Sequence, residues 1–257
     1  MRPQTIATCA FVIAVHVSSV AAQTEQPIEP QTETQTAIQS HQKYRLMAAS
    51  FDILRDEKTI WEDMFRIRLN EMKWIMPIVA VNALAISTDA AAYQDITTSK
   101  AVQQASHAVS SLGAPYPLFA AGASMYLLGR YTDDTRLRET GILGTQALVH
   151  SIIVTAALES ATNRKLPNGS SGESEFWNGG DAWPSGHASM FWALSTVVAE
   201  QYHDRRSARF GAYSLATAVS LSRFTGRQHF PSDALASTVV GYLVGRWVVH
   251  HRSSTRE

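Results

Sequence analysis

Two stretches of this chain gather side chains that can handle an anion. The first, "SRFTGRQHFPSD" (222–233), sets Arg223, Arg227, His229 and Asp233 within twelve residues. An arginine fork can pair with a phosphate through two parallel hydrogen bonds. An imidazole can attack phosphorus or take up a proton, and a carboxylate four residues further on could hold its far nitrogen and fix the tautomer. The second, "WPSGHASMFWAL" (183–194), reads as a helix start: Pro184 suits a first turn, Ser185 suits the cap, and Gly186 lets a ligand approach the backbone. His187 then projects from a helix end whose free N–H groups attract anions. Taken from the residues alone, other readings stay open. His229 and Asp233 could begin a metal site, though no further ligands stand at suitable local spacing, and both stretches could be plain solvated turns ahead of core helices.

Both motifs must be carried by helices. Apolar stretches recur at Trp74–Thr88, Pro115–Leu128, Gly141–Leu158, His187–Ala199, Phe210–Leu221 and Ala234–Val249, rich in Ala and Leu without strand-like alternation. They predict an all-α bundle of about six core helices. An additional amphipathic helix is expected within 43–65, from Met47, Phe51, Leu54, Ile60, Trp61, Met64 and Phe65. Asn163 to Trp183 is rich in Gly, Ser and Asn and reads as a long functional loop, with Trp177 and Trp183 placed to line an entrance. Trp61, Trp74, Trp192 and His150 read as core, and His250–His251 as a solvated end.

Composition narrows the function. Apolar residues make up 45% of the 257 and charged residues 17%, with 22 basic and 22 acidic side chains. With no basic block, a nucleic-acid partner is excluded. Most of the clean apolar runs are shorter than the ~20 residues of a membrane span, and Asp89, His150 and Arg246 would be costly in lipid. The helices therefore read as those of a soluble bundle, with membrane association as the alternative. At the N-terminus, 1–22 reads as a signal peptide or anchor: Arg2, an apolar run to Val20, and small residues before Gln23. Residues 23–42 read as a disordered Pro/Thr/Gln-rich linker, and 43–250 as the functional domain. Export to the periplasm or cell envelope is expected, and cleavage would remove the only cysteine, Cys9.

Together the two motifs resemble those of the superfamily that unites type 2 phosphatidic acid phosphatases, class A acid phosphatases and vanadium haloperoxidases. P-S-G-H is matched by Pro184, Ser185, Gly186 and His187. The pattern S-R, five residues, H, three residues, D is matched by Ser222, Arg223, His229 and Asp233. The resemblance implies a phosphatase that needs no metal or cofactor. In that scheme His229 is the nucleophile, Asp233 orients it, and His187 protonates the leaving oxygen. Arg223, with the Ser185 and Gly186 backbone, holds the phosphoryl oxygens. The substrate would be a phosphomonoester, either a lipid phosphate or a soluble ester. The superfamily's first motif, Lys, six residues, Arg-Pro, is altered here: over "ESATNRKLP", Glu159 stands at the lysine position and Leu166 at the arginine position, before Pro167. Arg164 or Lys165, and Arg227 in the other motif, are candidates to replace the missing cations as phosphate ligands. The alternative is an envelope protein with a weakened or inactive site that still binds anions or lipid headgroups.

Overall fold

The computed structural model describes residues 58–60, 62, 72–96, 98–168 and 172–254. The expected signal peptide and linker, and most of the expected amphipathic N-terminal helix, lie outside these residues. Seven long helices follow one another: α1 (Met72–Asp95), α2 (Lys100–Ser111), α3 (Pro115–Tyr131), α4 (Thr135–Thr162), α5 (Gly186–Gln201), α6 (Arg206–Thr225) and α7 (Pro231–Ser254). The described residues contain no strand. The all-α expectation therefore holds, with one more helix than the apolar stretches indicated. That helix, α2, is built mainly of Ala, Ser, Gln and Val and has no continuous apolar run.

Local chemistry sets the helix boundaries. Ser99 caps α2 by accepting from Val102 N–H, and Asp134 caps α4 by accepting from Leu137 N–H at 3.0 Å. α3 begins at Pro115, whose fixed φ suits a first helical position. Asn163 ends α4 in the left-handed region at φ 41°, which an asparagine tolerates better than most residues.

α5 lies at the centre, packed on α7, α4 and α6; α3 covers α4, α2 covers α6, and α1 rests on α7. The α5–α7 seam is closed by small residues. A Cβ at Gly241 would meet Ser189 O at 2.2 Å, and one at Gly245 would meet Ala193 O at 2.5 Å. No larger side chain fits this seam, so the two helices that carry the histidine motifs are held at backbone distance. Leu143, Ala147, Ala193, Val197 and Val248 form the core between α4, α5 and α7, while Leu118, Leu148, Met190 and Leu194 seat α3 on that pair. Full burial of such Leu or Val side chains is worth about 1.5–3 kcal/mol each. Residues 58–60 are helical, and Ile60 packs with Val154, Val240 and Val244. His150 is buried against Trp247, as expected of a core histidine. His251 stacks on the same indole at 4.4 Å, so this end of the chain is not simply solvated.

Among the described residues, two helices are long and apolar enough to cross a membrane: Met76–Asp95, of whose window 11% is buried, and Thr135–Thr162, of whose window 50% is buried. The sequence stretches understated both, because the helices extend past their clean apolar runs. They differ in setting. α4 is packed between α3, α5 and α7, whereas α1 exposes Met76, Ile78, Val79, Val81 and Leu84.

Candidate active site

His229 sits just ahead of α7 and is 4% exposed. Its Nδ1 lies 2.9 Å from the Ala182 carbonyl oxygen and 3.4 Å from Asp233 Oδ2. With two acceptors facing it, Nδ1 carries the proton, and the Nε2 lone pair is left for a substrate. The sequence assigned this orienting role to Asp233 alone. In the structure the Ala182 carbonyl is the nearer acceptor and the carboxylate supports it. Asp233 also acts on its own helix start, where its Oδ2 accepts from Phe230 N–H at 2.8 Å and so reaches back to the cap.

Behind Asp233 lies Arg164, fully buried. Its NH1 donates to Asp233 Oδ1 and to Ser232 Oγ (2.7 Å), and its NH2 donates to Asp89 Oδ2 (2.5 Å) and Ser174 Oγ (2.7 Å). The guanidinium lies between the rings of Phe176 and Phe230, 4.6 and 4.4 Å from their centroids. Asp89, in the last two turns of α1, completes the clamp by accepting from Ser232 N–H at 3.0 Å and from the Ser232 hydroxyl. These partners engage both terminal nitrogens of Arg164 and leave only Nε unpartnered, in contrast to the expectation that its fork turns into the pocket as a phosphate ligand. Lys165 differs from that expectation as well: it pairs with Glu175 at 2.8 Å on the loop surface. Arg227 donates to the Tyr93 and Ile96 carbonyls and lies 4.0 Å from the Tyr93 ring centroid. None of the three proposed replacement cations is placed as a phosphate ligand.

Across the pocket, α5 opens at Gly186 with Ser185 as its cap residue. Pro184, joined to Trp183 by a cis peptide, precedes the helix and does not form its first turn. Ser185 N–H donates to Ser237 Oγ (2.7 Å), whose hydroxyl in turn donates to Asp233 O (2.5 Å), so one α7 serine ties the two motifs together. The Ser185 hydroxyl makes no cap bond. It is buried without a hydrogen-bond partner, as is Trp183 Nε1. Trp177, expected near an entrance, is 79% exposed. His187 is backed by the α2–α3 corner, where a Cβ at Gly113 would meet His187 O at 2.9 Å. Burial, with the nearby charges of Arg223 and His229, pushes the His187 imidazole down to about 4.

Arg223, in the last turn of α6, is 9% exposed. NH1 donates to Ser110 Oγ (2.6 Å) and to the Gln228 side-chain oxygen, while Nε is buried with no hydrogen-bond partner. Gln228 is held in turn by Ser110 Oγ (3.1 Å) and by His107 Nδ1 (2.7 Å). Burial draws the guanidinium down to about 10, against a smaller opposing pull from Asp233. Unsatisfied buried donors are uncommon and call for an explanation. Arg223 Nε and the Ser185 hydroxyl are such groups, one from each motif, and Arg164 Nε is another.

Glu159, at the first-motif lysine position, faces this region. Its Oε1 is 3.7 Å from where a Gly186 Cβ would stand. Burial first, and the charge of Asp181 second, push its carboxyl up to about 8, so it is neutral near pH 7. Sequence reasoning did not find Asp89, Ser110, Gln228, Ser237 or the Ala182 carbonyl as parts of the assembly.

No curated protein matches the chain. Among solved structures, the chain is similar to LpxE of Aquifex aeolicus, at 14% identity and a TM-score of 0.49, over 67% of this chain and 94% of that one. It is also similar to the transmembrane PAP2-type phosphatidylglycerolphosphate phosphatase of Bacillus subtilis, at 16% identity and a TM-score of 0.48, over 82% and 97%. The PAP2 superfamily model matches residues 142–256, a span that contains Glu159, His187, Arg223, His229 and Asp233. Over 142–256 this chain is similar to the PAP2 superfamily.

Proposed function

We propose that the chain hydrolyses a phosphoester through a phosphohistidine at His229. The observation that carries this is the tethering of His229 Nδ1 by Ala182 O and Asp233, which leaves Nε2 as the nucleophile. Nε2 bonds to phosphorus and the P–O bond to the leaving group breaks. The departing oxygen takes a proton from His187. Water, losing a proton to His187, then attacks phosphorus, the P–N bond breaks and phosphate leaves. Division into two displacements lowers the barrier of each. Arg223 and the first N–H groups of α5 receive the phosphoryl oxygens. An anion bound beside His187 raises its proton affinity, so the imidazole that burial, Arg223 and His229 depress becomes a usable acid once substrate is present. The substrate is a phosphomonoester of a lipid or of a small soluble molecule. The exposed apolar face of α1 supports contact with an envelope membrane.

Release of phosphate from p-nitrophenyl phosphate and from phosphatidic acid tests this, with His229→Ala as control and acid-labile phosphate on the protein as a second readout. Equal release by wild type and His229→Ala would overturn it. A second reading, a site that binds anions without turnover, is favoured by the first-motif positions: Glu159 and Leu166 are not cations, and Arg164 and Lys165 are engaged elsewhere.

A further inference from the structure

The cations around the pocket can be accounted for one at a time. Arg164 is fully buried between two carboxylates. Lys165 is paired with Glu175, and Arg227 is spent on two backbone carbonyls and the Tyr93 ring. Nε is buried without a hydrogen-bond partner in both Arg164 and Arg223, but the Arg164 charge is met by two carboxylates, whereas the hydrogen-bond partners of the Arg223 guanidinium are the neutral Ser110 and Gln228 side chains. Beside the Gly186 backbone stands a carboxyl group, that of Glu159.

We infer that this pocket takes its phosphoryl group in the singly charged form, with Glu159 acting as a neutral hydrogen-bond donor beside Gly186 and Arg223 as the one charge partner. The inference rests on the hydrolase reading above and narrows its substrate class. A carboxylic acid can donate one hydrogen bond to a phosphoryl oxygen and adds no positive charge. A dianion would meet only one permanent positive charge, so its second negative charge would stay uncompensated in a desolvated site. The elevated proton affinity of Glu159 agrees with this assignment. The charged and titratable groups facing the pocket are Asp181 from the preceding loop, His187 on α5, Arg223 on α6, and His229 and Asp233 at the start of α7.

A singly charged phosphoryl group comes from two sources, a monoester with one proton or a diester. With the diester, His229 Nε2 bonds to phosphorus, one P–O bond breaks, and that alkoxide takes the proton from His187. Water then adds to phosphorus and returns a proton to His187, the P–N bond breaks, and the monoester leaves. With the monoester monoanion the steps are the same, with a hydroxyl in place of the retained ester arm.

Binding decides the charge preference without turnover. His229→Ala is titrated calorimetrically with dimethyl phosphate, a monoanion, and with methyl phosphate at about pH 7.5, where a second phosphate pKa near 6 makes it mostly a dianion. Dimethyl phosphate should bind about tenfold more tightly, one unit of pKd. The ratio should persist on adding Glu159→Gln, which keeps a neutral donor, and reverse on adding Glu159→Lys. Tighter binding of methyl phosphate, or a ratio that Glu159→Lys leaves unchanged, would overturn the inference. Turnover by the wild type distinguishes the sources. p-Nitrophenyl phosphate hydrolysis that falls above about pH 6 as the monoanion disappears identifies the monoester. Bis(p-nitrophenyl) phosphate hydrolysis, whose substrate does not ionise there, identifies the diester. A monoester rate that rises with the dianion, with no diester turnover, overturns the inference but leaves the hydrolase standing. If wild type and His229→Ala are equally inert on both esters, the hydrolase reading fails, and the binding ratio still decides the charge preference.

Discussion

Two buried arginines belong to the surroundings of the nucleophile, and their partners differ. Arg164 has four oxygen partners on its two terminal nitrogens, two of them carboxylates, and two aromatic rings against its guanidinium, with Nε alone unpartnered. Arg223 has only neutral oxygens, from Ser110 and Gln228, and a bare Nε. A buried charge is tolerated where its partners compensate it. Arg164 is compensated within the fold and belongs to the scaffold. Arg223 is left under-compensated, which favours an anion arriving from outside. Residue type alone does not separate these roles; the partners of each guanidinium do.

The contrast fails if the two substitutions behave alike. Arg164→Met should strand Asp89 and Asp233 as uncompensated buried carboxylates and cost about 3–5 kcal/mol of stability. Urea or thermal unfolding would show this as a large fall in midpoint. Neutralising both acids as well (Asp89→Asn, Asp233→Asn) should recover a large part of the lost stability without restoring activity. An unchanged midpoint in Arg164→Met would show that the clamp contributes little.

Arg223→Met should do the reverse. The fold loses a desolvated charge whose partners are neutral, so the unfolding midpoint holds or rises. Turnover of p-nitrophenyl phosphate should fall by roughly 10²–10³, the usual effect of removing one preorganised oxyanion donor. Arg223→Lys should not restore it, because a point charge cannot reproduce the fork. Activity near wild type in Arg223→Met would remove this arginine from the chemistry.

The sequence made one of these arginines legible and misled on the other. Arg223, His187, His229 and Asp233 stood out because type and spacing lay close together along the chain. Arg164 also stood near a motif, and its position suggested a phosphate ligand, but its partner Asp89 is distant in sequence and gave no local sign. The missing helix α2 has the same cause. Its apolar content is low, so hydrophobic periodicity passes over it, yet it supplies Ser110 to Arg223 and His107 to Gln228. The helices that pack by continuous apolar faces were visible. Contacts made by serine hydroxyls, backbone carbonyls and the α5–α7 glycine seam depend on tertiary placement.

A smaller effect sharpens the Arg223 side of the contrast. Ser110→Ala removes one acceptor from NH1 and one donor to Gln228. A hydrogen bond to a charged group is worth about 1.5–3 kcal/mol. Turnover should therefore drop roughly tenfold with KM rising, as the fork loses its fixed aim, while the unfolding midpoint moves little. If kcat and KM both stay at wild-type values, the α2 contact does not position Arg223.

The mildest expected effect concerns Glu159 and appears in stability as a function of pH. Its carboxyl is pushed from an ordinary 4.5 to about 8 in the folded protein. Between those values the unfolded chain releases the proton while the folded chain keeps it. The contribution is therefore complete below about 4.5 and is lost as pH rises toward 8. His187, pushed from 6.5 down to about 4, acts with the opposite sign: its contribution is present above 6.5 and is lost as pH falls toward 4. The two slopes oppose each other between 4.5 and 6.5, leaving 6.5 to 8 as the window in which Glu159 acts alone. There, Glu159→Gln should flatten the decline of the unfolding midpoint with pH. An identical slope in wild type and Glu159→Gln across that window would mean that the Glu159 carboxyl meets water freely and does not stand as a neutral donor beside Gly186.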